Sequence, residues 1–534
     1  MDTVFFNACI HTLDAANSVC QAIGIKDNKI AFLGSNAEAE TLAAKESFDL
    51  QGRLLLPGFI DSHMHLLHYA YLHGFVNLAD CASREEVIGA GKSFLARNGS
   101  HHEWIMGWGW NQNKFTGEKV FLSKHDLDQI STAYPVVFSR VCGHAATVNS
   151  LALEIILAME EAGELMPFID AHQGVLTEAA AFLHTKLLPS FTVAEIGDLL
   201  LAGQRDLNKH GITGVHSVDF MALPGNDWES VLKAYMLLAE KGKLTVRTYE
   251  QCMFNSPAAV DEFLVKGYRT GQGNELFKIG PLKLMADGSL GARTALLHEP
   301  YADDPTTCGF QVFEEAVLTE LIGKAAANGM QIAVHGIGDK AIELATDILN
   351  EVNGQQGNPS RHGIIHAQLT NPGILEKMRQ GKLLAYIQPV FIDADMKITA
   401  ARIGTERMKK IYAWKTMLDL GIRASGGSDA PVEPFNVMEN IYFAVTRKDR
   451  QGQPLAGWLP EEKLTVNEAV RLFTIEGAYA SLEEDVKGSL EVGKYADFVV
   501  VDRDIYEICP DDIANAKIVV TVLGGNIVYD AKEK

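Results

Sequence analysis

The stretch LLLPGFIDSHMHLLH, residues 54–68, runs from an apolar segment through a Pro-Gly pair into two histidines that are two residues apart. Residues i and i+2 of a β-strand project to the same side. If this segment is a strand, His63 and His65 can therefore bind one metal ion. The stretch predicts a buried strand that carries half of a metal site at its end.

Further segments with the composition of buried strands follow along the chain, separated by segments with helical periodicity such as residues 313–329 and 339–353. Strands that alternate with helices are typical of a parallel sheet built from β/α units. Eight such units predict an α/β fold of the (β/α)8 TIM-barrel type and argue against a doubly wound sheet. The eight predicted strands are residues 53–65, 211–219, 244–253, 279–288, 330–338, 361–369, 382–389 and 421–431.

Short β-like runs and turns fill both ends of the chain, which predicts that the two ends meet in one small domain. We expect a composite β-sandwich from residues 1–53 and 485–534, and a barrel from residues 54–70 and 205–484. The connection between the first two barrel strands, residues 71–204, is far longer than one helix requires. A long insertion there emerges on the face where barrel active sites are built, so we expect a lid or substrate-recognition subdomain.

Composition and charge limit the function classes. The 534 residues contain 47 Lys and Arg against 68 Asp and Glu, and the net charge of −21 disfavours binding to nucleic acid. The 7 cysteines are scattered without a C-x-x-C pair, which is typical of a reducing compartment. No apolar segment reaches the length of a membrane span, and the first residues do not resemble a signal peptide. We expect a cytoplasmic protein that acts on a small molecule and binds neither nucleic acid nor membrane.

Polar side chains fall at the carboxyl ends of five of the predicted strands. A single strand histidine is more often a hydrogen-bonded core residue than a ligand. Four imidazoles and a carboxylate in equivalent positions favour a metal site, because burying them without a metal would leave each group in need of its own partner. The residues at these strand ends are His63, His65, Lys283, His335, His366 and Asp429.

Several segments, spread over nearly the whole chain, carry a resemblance to a known family. They are LPGFIDSHMH, GWGWNQNKF, GHAATVNSLAL, KLMADGSLGARTALLHEPY, IAVHGIGDKAI, IIHAQL, GSDAPVEPFN, LTVNEAVRLFT and KGSLEVGKYADFVVVDRD. The chain resembles the amidohydrolase superfamily, and within it the amidohydrolase-3 branch of YtcJ-like and N-substituted formamide deformylase-like proteins. The resemblance implies a TIM barrel, a small β-sandwich from both chain ends, and a divalent metal site that usually holds zinc.

The resemblance also implies a ligand set. By position, His63, His65 and Asp429 would hold one metal, and His335 and His366 would hold a second. The expected cofactor is thus one or two Zn²⁺ ions per chain.

Lys283 lies where many members of the superfamily have a carboxylated lysine that bridges two metals. An ammonium group cannot coordinate a metal, so Lys283 must react with CO2 as the neutral amine or act only as a cation. Pairing with Asp287 or with a substrate carboxylate is the alternative. If Lys283 is unmodified, the site holds one metal or takes a ligand from Glu178 of the insertion, a residue that could equally be a helix N-terminal charge.

The implied chemistry is hydrolysis of a carbon–nitrogen bond other than a peptide bond. Zn²⁺ lowers the pKa of a bound water from 15.7 towards about 7 and polarises a carbonyl group. Asp429 is the expected acceptor of the water proton and its donor to the leaving amine. We expect the bond to be an N-acyl or N-formyl amide of a small molecule.

Candidate substrate-binding residues lie in three motifs. Trp108 and Trp110 in GWGW could line the pocket or form the core of the insertion. His144 could line the same pocket. Arg293 in DGSLGARTA could bind an anionic or carbonyl group, or the segment could simply be a tight loop.

The same fold is also consistent with two alternative functional hypotheses. One is an aminohydrolase that deaminates a ring, or a hydrolase of cyclic amides or imidazolones. The other is a barrel retained as a binding or regulatory protein, although the five histidine and aspartate positions of the site are all present. Many barrels of this family are dimers, so a homodimer is one expected assembly.

Overall fold

The structure is a computed structural model, which describes residues 1–98, 104–141, 145–225 and 227–532. The chain divides into two compact units. The main unit comprises Met1–Leu67, Val193–Ala222 and Trp228–Lys534. The insert unit comprises His68–Thr192 and Leu223–Asp227.

The main unit resumes earlier than the predicted residue 205. The helix Val193–Lys209 belongs to it as a whole, because its apolar face, including Leu200 and Leu207, is buried there. Asn208 near the end of this helix donates hydrogen bonds to the carbonyl oxygens of Ile212 and Thr245. Because this helix packs and hydrogen-bonds within the main unit, it belongs to the β/α part of the chain and not to the insertion.

Both chain ends build a terminal domain of two sheets inside the main unit. The four-stranded sheet has the order β5-β4-β1-β6, and the six-stranded sheet has the order β24-β23-β22-β7-β2-β3. The two sheets enclose one core, to which Phe5 and Ile23 contribute from the beginning of the chain and Phe498 and Val500 from its end. The elements are β1 Thr3–Phe6, β2 Cys9–His11, β3 Val19–Cys20, β4 Ala22–Lys26, β5 Lys29–Gly34, α1 Asn36–Ala39, β6 Glu46–Asp49, β7 Leu54–Pro57, β22 Phe498–Val501, β23 Ile518–Leu523 and β24 Asn526–Asp530.

The predicted strand 53–65 is wrong as a single element, because it divides at Gly58 into strands of two different sheets. β7 pairs with β2 and β22 in the terminal domain, whereas Phe59–Met64 is the first strand of the barrel. A Cβ atom on Gly58 would lie 2.2 Å from Thr213 Oγ1, so only glycine fits where the chain crosses between the sheets. The apolar run is continuous in sequence because both strands are fully buried.

Eight parallel strands form the barrel, which confirms the predicted fold class. Their order is β21-β20-β19-β18-β17-β16-β15-β8. At the two ends of this order, Asp429 N donates to His63 O over 2.7 Å, and His65 N donates to Ala430 O over 2.7 Å. These bonds join the first and eighth strands where the predicted ligands lie. The strands are β8 Phe59–Met64, β15 Ile212–Ser217, β16 Arg247–Cys252, β17 Phe277–Met285, β18 Ile332–Gly336, β19 Gly363–His366, β20 Leu384–Ile387 and β21 Ala424–Gly426.

Helices follow the barrel strands, as the 3.6-residue periodicity predicts. Asp339–Asn353 shows the reason, since Ile342, Ala345 and Leu349 form its buried face. Within the described residues, no helix is both long and apolar enough to cross a membrane. The helices are α7 Val193–Lys209, α8 Trp228–Glu240, α9 Pro257–Val265, α10 Glu315–Ala327, α11 Asp339–Asn353, α12 Pro372–Gln380, α13 Ile392–Asp395, α14 Thr399–Met408, α15 Trp414–Asp419, α16 Val437–Thr446, α17 Val466–Leu472 and α18 Ile475–Ala480.

The insert unit contains its own six-stranded sheet of order β13-β14-β12-β11-β10-β9. Alternate residues of its strands enter two different cores: Met106 and Val137 pack in one, and Ile105 and Val136 pack in the other. The sheet is therefore buried on both faces. The elements, with the helix at the start of the unit, are α2 Leu66–Leu72, β9 Val76–Asn77, α3 Arg84–Asn98, β10 Ile105–Trp110, α4 Lys124–Asp128, β11 Val136–Arg140, β12 Ala145–Val148, α5 Ser150–Leu157, α6 Ala162–Leu165, β13 Ile169–Asp170 and β14 Val175–Thr177.

Candidate metal centre

The predicted ligands lie at the carboxyl ends of barrel strands, where parallel strands place their final side chains at one mouth. Each side chain is at or just past the end of β8, β17, β18, β19 or β21. Three of them converge: one ligand atom each from His63, His366 and Asp429 lie within 4.8 Å of one another. His65 joins them, with its Nε2 atom 3.1 Å from Asp429 Oδ1.

Two of the converging residues have an unusual backbone. His366 has a φ of 71° and Asp429 a φ of 60°, both in the left-handed region that side chains rarely adopt. Such conformations cost about 1–3 kcal/mol each and persist only where the surrounding structure imposes them, often at functional sites. Here the barrel ends hold the two ligands in orientations that relaxed strands would not give.

The ring orientation of His63 and of His366 is set by a glutamine amide. His63 Nδ1 lies 2.7 Å from Gln251 Oε1, and His366 Nδ1 lies 2.8 Å from Gln388 Oε1. Each amide is itself oriented, because its NH2 group donates to a backbone carbonyl, that of Ser62 for Gln251 and that of Tyr386 for Gln388. An amide oxygen accepts from an Nδ1–H group, which leaves the lone pair on Nε2.

The protonation states of the converging groups fit a cation. Burial lowers the pKa of His63 to about 4 and that of His366 well below its usual value, so both imidazoles are neutral at pH 7. The carboxylate of Asp429 faces two of the imidazole rings, with its Oδ1 atom 3.3 Å from His63 Nε2 and 3.1 Å from His65 Nε2. The site thus presents neutral imidazoles and one carboxylate.

One buried atom provides a direct test of the metal assignment. His63 Nε2 has no hydrogen-bond partner among the described residues, although it lies 3.3 Å from Asp429 Oδ1. A buried imidazole nitrogen with a free lone pair is costly unless it binds something. Together with a facing carboxylate and a second neutral imidazole, this donor set fits a divalent metal such as Zn²⁺.

Lys283 is buried in the barrel with a side chain that makes no hydrogen bond or ion pair in the described part of the chain. Burial lowers the pKa of its amine to about 8, while the charge of Asp429 acts in the opposite direction. The structure does not pair Lys283 with Asp287, because the Asp287 carboxylate accepts backbone N–H groups of Leu296, Ile337 and Gly338. The amine is therefore available for reaction or for a ligand.

His335 is adjacent to the converging group. Its ring centroid lies 4.6 Å from that of His366. Its Nε2 atom lies 3.0 Å from Gly288 O and 3.4 Å from Asp287 Oδ1. His335 is thus next to His366, as a second metal would require, but in this structure its Nε2 faces the segment that follows β17.

The other predicted site residues lie in different surroundings. Trp110 is buried in a core of the insert unit, where its indole N–H donates to Phe138 O over 2.9 Å, so the structure favours the core interpretation. Trp108 lies on the same strand and is 40% exposed. Glu178 is exposed at the start of the 3-10 helix Glu178–Leu187 of the insert unit. His144 lies outside the described residues.

Arg293 belongs to the main unit, in the loop after β17. Its Nε and Nη2 atoms donate to the two carboxylate oxygens of Asp303 over 3.0 and 2.9 Å. Arg402 also contacts this carboxylate. The guanidinium group is therefore already held in a bidentate ion pair, which a substrate anion would have to replace.

Sequence reasoning missed three buried polar residues next to the ligands, namely Gln251, Gln388 and Asp61. Asp61 Oδ1 accepts hydrogen bonds from His63 N and Ser428 N, which ties the first strand to the end of the eighth. Burial raises the pKa of Asp61 to about 7. The available signal was an aspartate two positions before His63, a glutamine near the end of β16 and a glutamine directly after the apolar strand β20.

Comparison with known proteins relates the chain to a family. The family profile Amidohydro_3, described as "Amidohydrolase family", matches residues 46–529. "Putative amidohydrolase YtcJ" of Bacillus subtilis (strain 168) is 33% identical over 540 residues, which cover 99% of this chain and 100% of that protein. The N-substituted formamide deformylase of Arthrobacter pascens is 25% identical over 548 residues, covering 99% of this chain and 98% of the deformylase.

A solved structure gives the same result. An uncharacterized metal-dependent hydrolase from Pyrococcus furiosus superimposes with a TM-score of 0.79 at 28% identity, over 95% of this chain and 100% of that one. Fold, ligand cluster and relatives together define a metal-dependent hydrolase of the amidohydrolase superfamily. Within that class, the chain belongs to the amidohydrolase family described by the Amidohydro_3 profile.

Proposed function

We propose that this protein hydrolyses the acyl carbon–nitrogen bond of a small N-acyl or N-formyl amide. The observation that carries the proposal is the convergence of His63, His366 and Asp429 within 4.8 Å, with His65 beside them. The full-length similarity to an N-substituted formamide deformylase supports this class of bond.

The residues present would share the reaction as follows. His63, His65, His366 and Asp429 would hold a divalent cation, which supplies Lewis-acid activation of a carbonyl and of water. Asp429 is ionised and lies at the centre of the cluster, where it can accept a proton from the attacking water and return it to the departing nitrogen. Gln251 and Gln388 orient two of the imidazoles.

We further propose that Lys283 carries CO2 as a carbamate. The neutral amine attacks CO2, a nitrogen–carbon bond forms, and a proton is released to solvent. The support is a buried amine without a protein partner whose pKa of about 8 leaves a reactive neutral fraction at pH 7. Intact mass before and after acid treatment tests this step, and an unchanged mass would contradict it.

The decisive experiment is an assay of the full chain after chelation and reconstitution with Zn²⁺ or Mn²⁺. N-substituted formamides, N-acetyl amides and amino-substituted heterocycles are offered separately, and formate, carboxylate, amine and ammonia are quantified. Metal-dependent release of amine together with formate or another carboxylate is the expected result. Ammonia from the heterocycles without amide cleavage would replace the proposal with a deaminase.

A pair of variants links turnover to the site. Asp429→Asn removes the proposed proton acceptor, and Asp419→Asn removes an exposed carboxylate that pairs with Lys415 on α15. We expect the first variant to lose most turnover and the second to retain it. Equal activity of Asp429→Asn and the parent chain would exclude the assigned role.

A further inference from the structure

A second cluster of metal-binding atoms lies in the terminal domain. Cys9 and His11 are residues i and i+2 of β2, so their side chains project to the same side of the strand. Asp504 lies in the loop that follows β22. The Cys9 sulfur, a ring nitrogen of His11 and a carboxylate oxygen of Asp504 all lie within 4.8 Å of one another.

The three side chains are held in place by independent contacts. The His11 ring stacks on Tyr506 with centroids 4.0 Å apart and an interplanar angle of 6°. Asp504 Oδ1 accepts the backbone N–H of Tyr506 over 2.9 Å, which fixes the loop. Cys9 is anchored by its backbone N–H, which donates to Arg53 O over 2.9 Å. Contacts of the surrounding fold therefore help to place all three residues.

The surroundings of this cluster contain polar groups that the described residues leave unpaired. The Tyr506 hydroxyl is buried without a hydrogen-bond partner among the described residues. In the same part of the chain, no lysine or arginine forms an ion pair with Asp504 or with the neighbouring Glu507. The carboxylates of Asp504 and Glu507 therefore act on the Cys9 thiol and the His11 imidazole without a lysine or arginine ion-paired to them among the described residues.

The same surroundings argue against a nucleophilic cysteine. Burial and then the charge of Asp504 raise the pKa of the Cys9 thiol to about 11, and Glu507 adds to this effect. The thiolate is the reactive form, so Cys9 is a poor nucleophile despite its histidine and aspartate neighbours. Metal binding, in contrast, replaces the thiol proton and offsets the carboxylate charge.

We propose that Cys9, His11 and Asp504 bind one divalent ion of the Zn²⁺ class. Thiolate and imidazole ligands select Zn²⁺ and Co²⁺ over Mg²⁺ and Ca²⁺. Binding forms a sulfur–metal bond, and the thiol proton leaves to solvent. Three protein ligands leave a fourth position, which Glu507 or water fills. The ion links β2, near the start of the chain, to the loop after β22, near its end, and so stabilises the composite domain.

Cobalt spectroscopy separates this site from the barrel centre. The barrel ligands are imidazoles, a carboxylate and a lysine, none of which contains sulfur. A near-ultraviolet thiolate-to-cobalt charge-transfer band can therefore come only from a cysteine site. We expect the chelated full chain to develop this band on titration with Co²⁺ and to saturate at one thiolate-bound ion per chain.

Matched variants identify the cysteine. Cys9→Ser should abolish the band and lower the bound zinc by one ion per chain. Cys20→Ser is the control, because Cys20 lies on β3, pairs with the residue next to Cys9 and is also partly buried. His11→Asn keeps the thiol, so it tests the site even if Cys9→Ser folds poorly, and it should weaken Co²⁺ binding at least tenfold.

Two results would overturn the proposal. One is the absence of a charge-transfer band in the parent chain at saturating Co²⁺. The other is a band that survives Cys9→Ser or disappears in Cys20→Ser. Neither result depends on the barrel metal or on hydrolytic activity, so the proposal can fail while the proposed function stands.

Discussion

Replacement of Gln251 by leucine tests how the barrel site controls its metal. In the parent chain the amide oxygen accepts the Nδ1 proton of His63 over 2.7 Å, and Nε2 keeps its lone pair for the metal. In Gln251→Leu the metal-free chain can shift the proton to Nε2 or turn the ring. The metal-bound chain must keep Nδ1–H buried without a hydrogen-bond partner. The substitution therefore raises the free energy of the metal-bound state and not that of the metal-free state.

The size of the effect follows from that difference. A buried unsatisfied donor costs about 1–3 kcal/mol, which corresponds to roughly a 5- to 150-fold weaker dissociation constant. Loss of the Gln251 bond to Ser62 O affects both states and cancels. We therefore expect Zn²⁺ to bind Gln251→Leu about 10- to 100-fold more weakly, in the range measured for outer-shell ligands elsewhere.

Chelator competition with a fluorescent zinc indicator measures this constant on the full chain. A Cys9→Ser background removes the proposed second site from the titration. Gln204→Leu is the matched control, since Gln204 is equally buried but its amide oxygen accepts backbone N–H groups of Thr245 and Val246, away from the ligands. A dissociation constant for Gln251→Leu within twofold of the parent value, with folding intact, would refute the reasoning.

Three further predictions concern stability and catalysis. Asp497→Ala should lower the free energy of unfolding by about 3–5 kcal/mol in chemical denaturation. The reason is that the buried Arg247 guanidinium loses its bidentate partner, which it contacts at 2.7 and 3.0 Å. A loss below about 1 kcal/mol would contradict this prediction. Asp429→Asn should keep a near-parental melting temperature but lose most turnover, and a few-fold change in kcat would exclude the proton-transfer role. Burial would raise the pKa of Glu483, but Lys487 and Lys278 outweigh it and lower the pKa to about 2. The ionised Glu483 thus contributes stability above the unfolded pKa of about 4.3, and this contribution, up to about 3 kcal/mol, is lost as the pH falls towards 2. The free energy of unfolding of Glu483→Gln should therefore change less between pH 7 and pH 3 than that of the parent chain, as denaturation curves at the two pH values would measure.

The barrel could be predicted because its strands are buried on both faces. β18 and β19 are buried along their whole lengths, so they appear in the sequence as short apolar runs that end in a histidine. Because of the same complete burial, the sequence does not show that the chain divides into two strands at Gly58. Two fully buried strands of different sheets give one continuous apolar run, and only the close approach of Thr213 reveals why the chain must cross at a glycine.

The convergence of His63, His366 and Asp429 could be anticipated because imidazoles and carboxylates are rare at the ends of buried strands. The roles of Gln251 and Gln388 could not be anticipated, because a neutral amide in or near a strand has many structural uses. Only the contacts in the folded structure show that these two amides orient ligands. Trp110 shows the same limit in reverse. From the motif alone, Trp110 could line a pocket or belong to a core. Only the structure shows on which face of β10 the ring lies, and that face packs in a core of the insert unit.

The choice of amide partners also has a chemical consequence for the metal. A carboxylate on Nδ1 would increase the basicity of the imidazole and add negative charge beside the ion. Gln251 and Gln388 orient His63 and His366 without adding charge, so Asp429 is the one anion among the four converging side chains. A divalent ion held by these four side chains would keep a net positive charge, and a more positive ion is a stronger Lewis acid towards a carbonyl group. The neutral partners thus suit a hydrolytic metal centre better than tight storage of a metal.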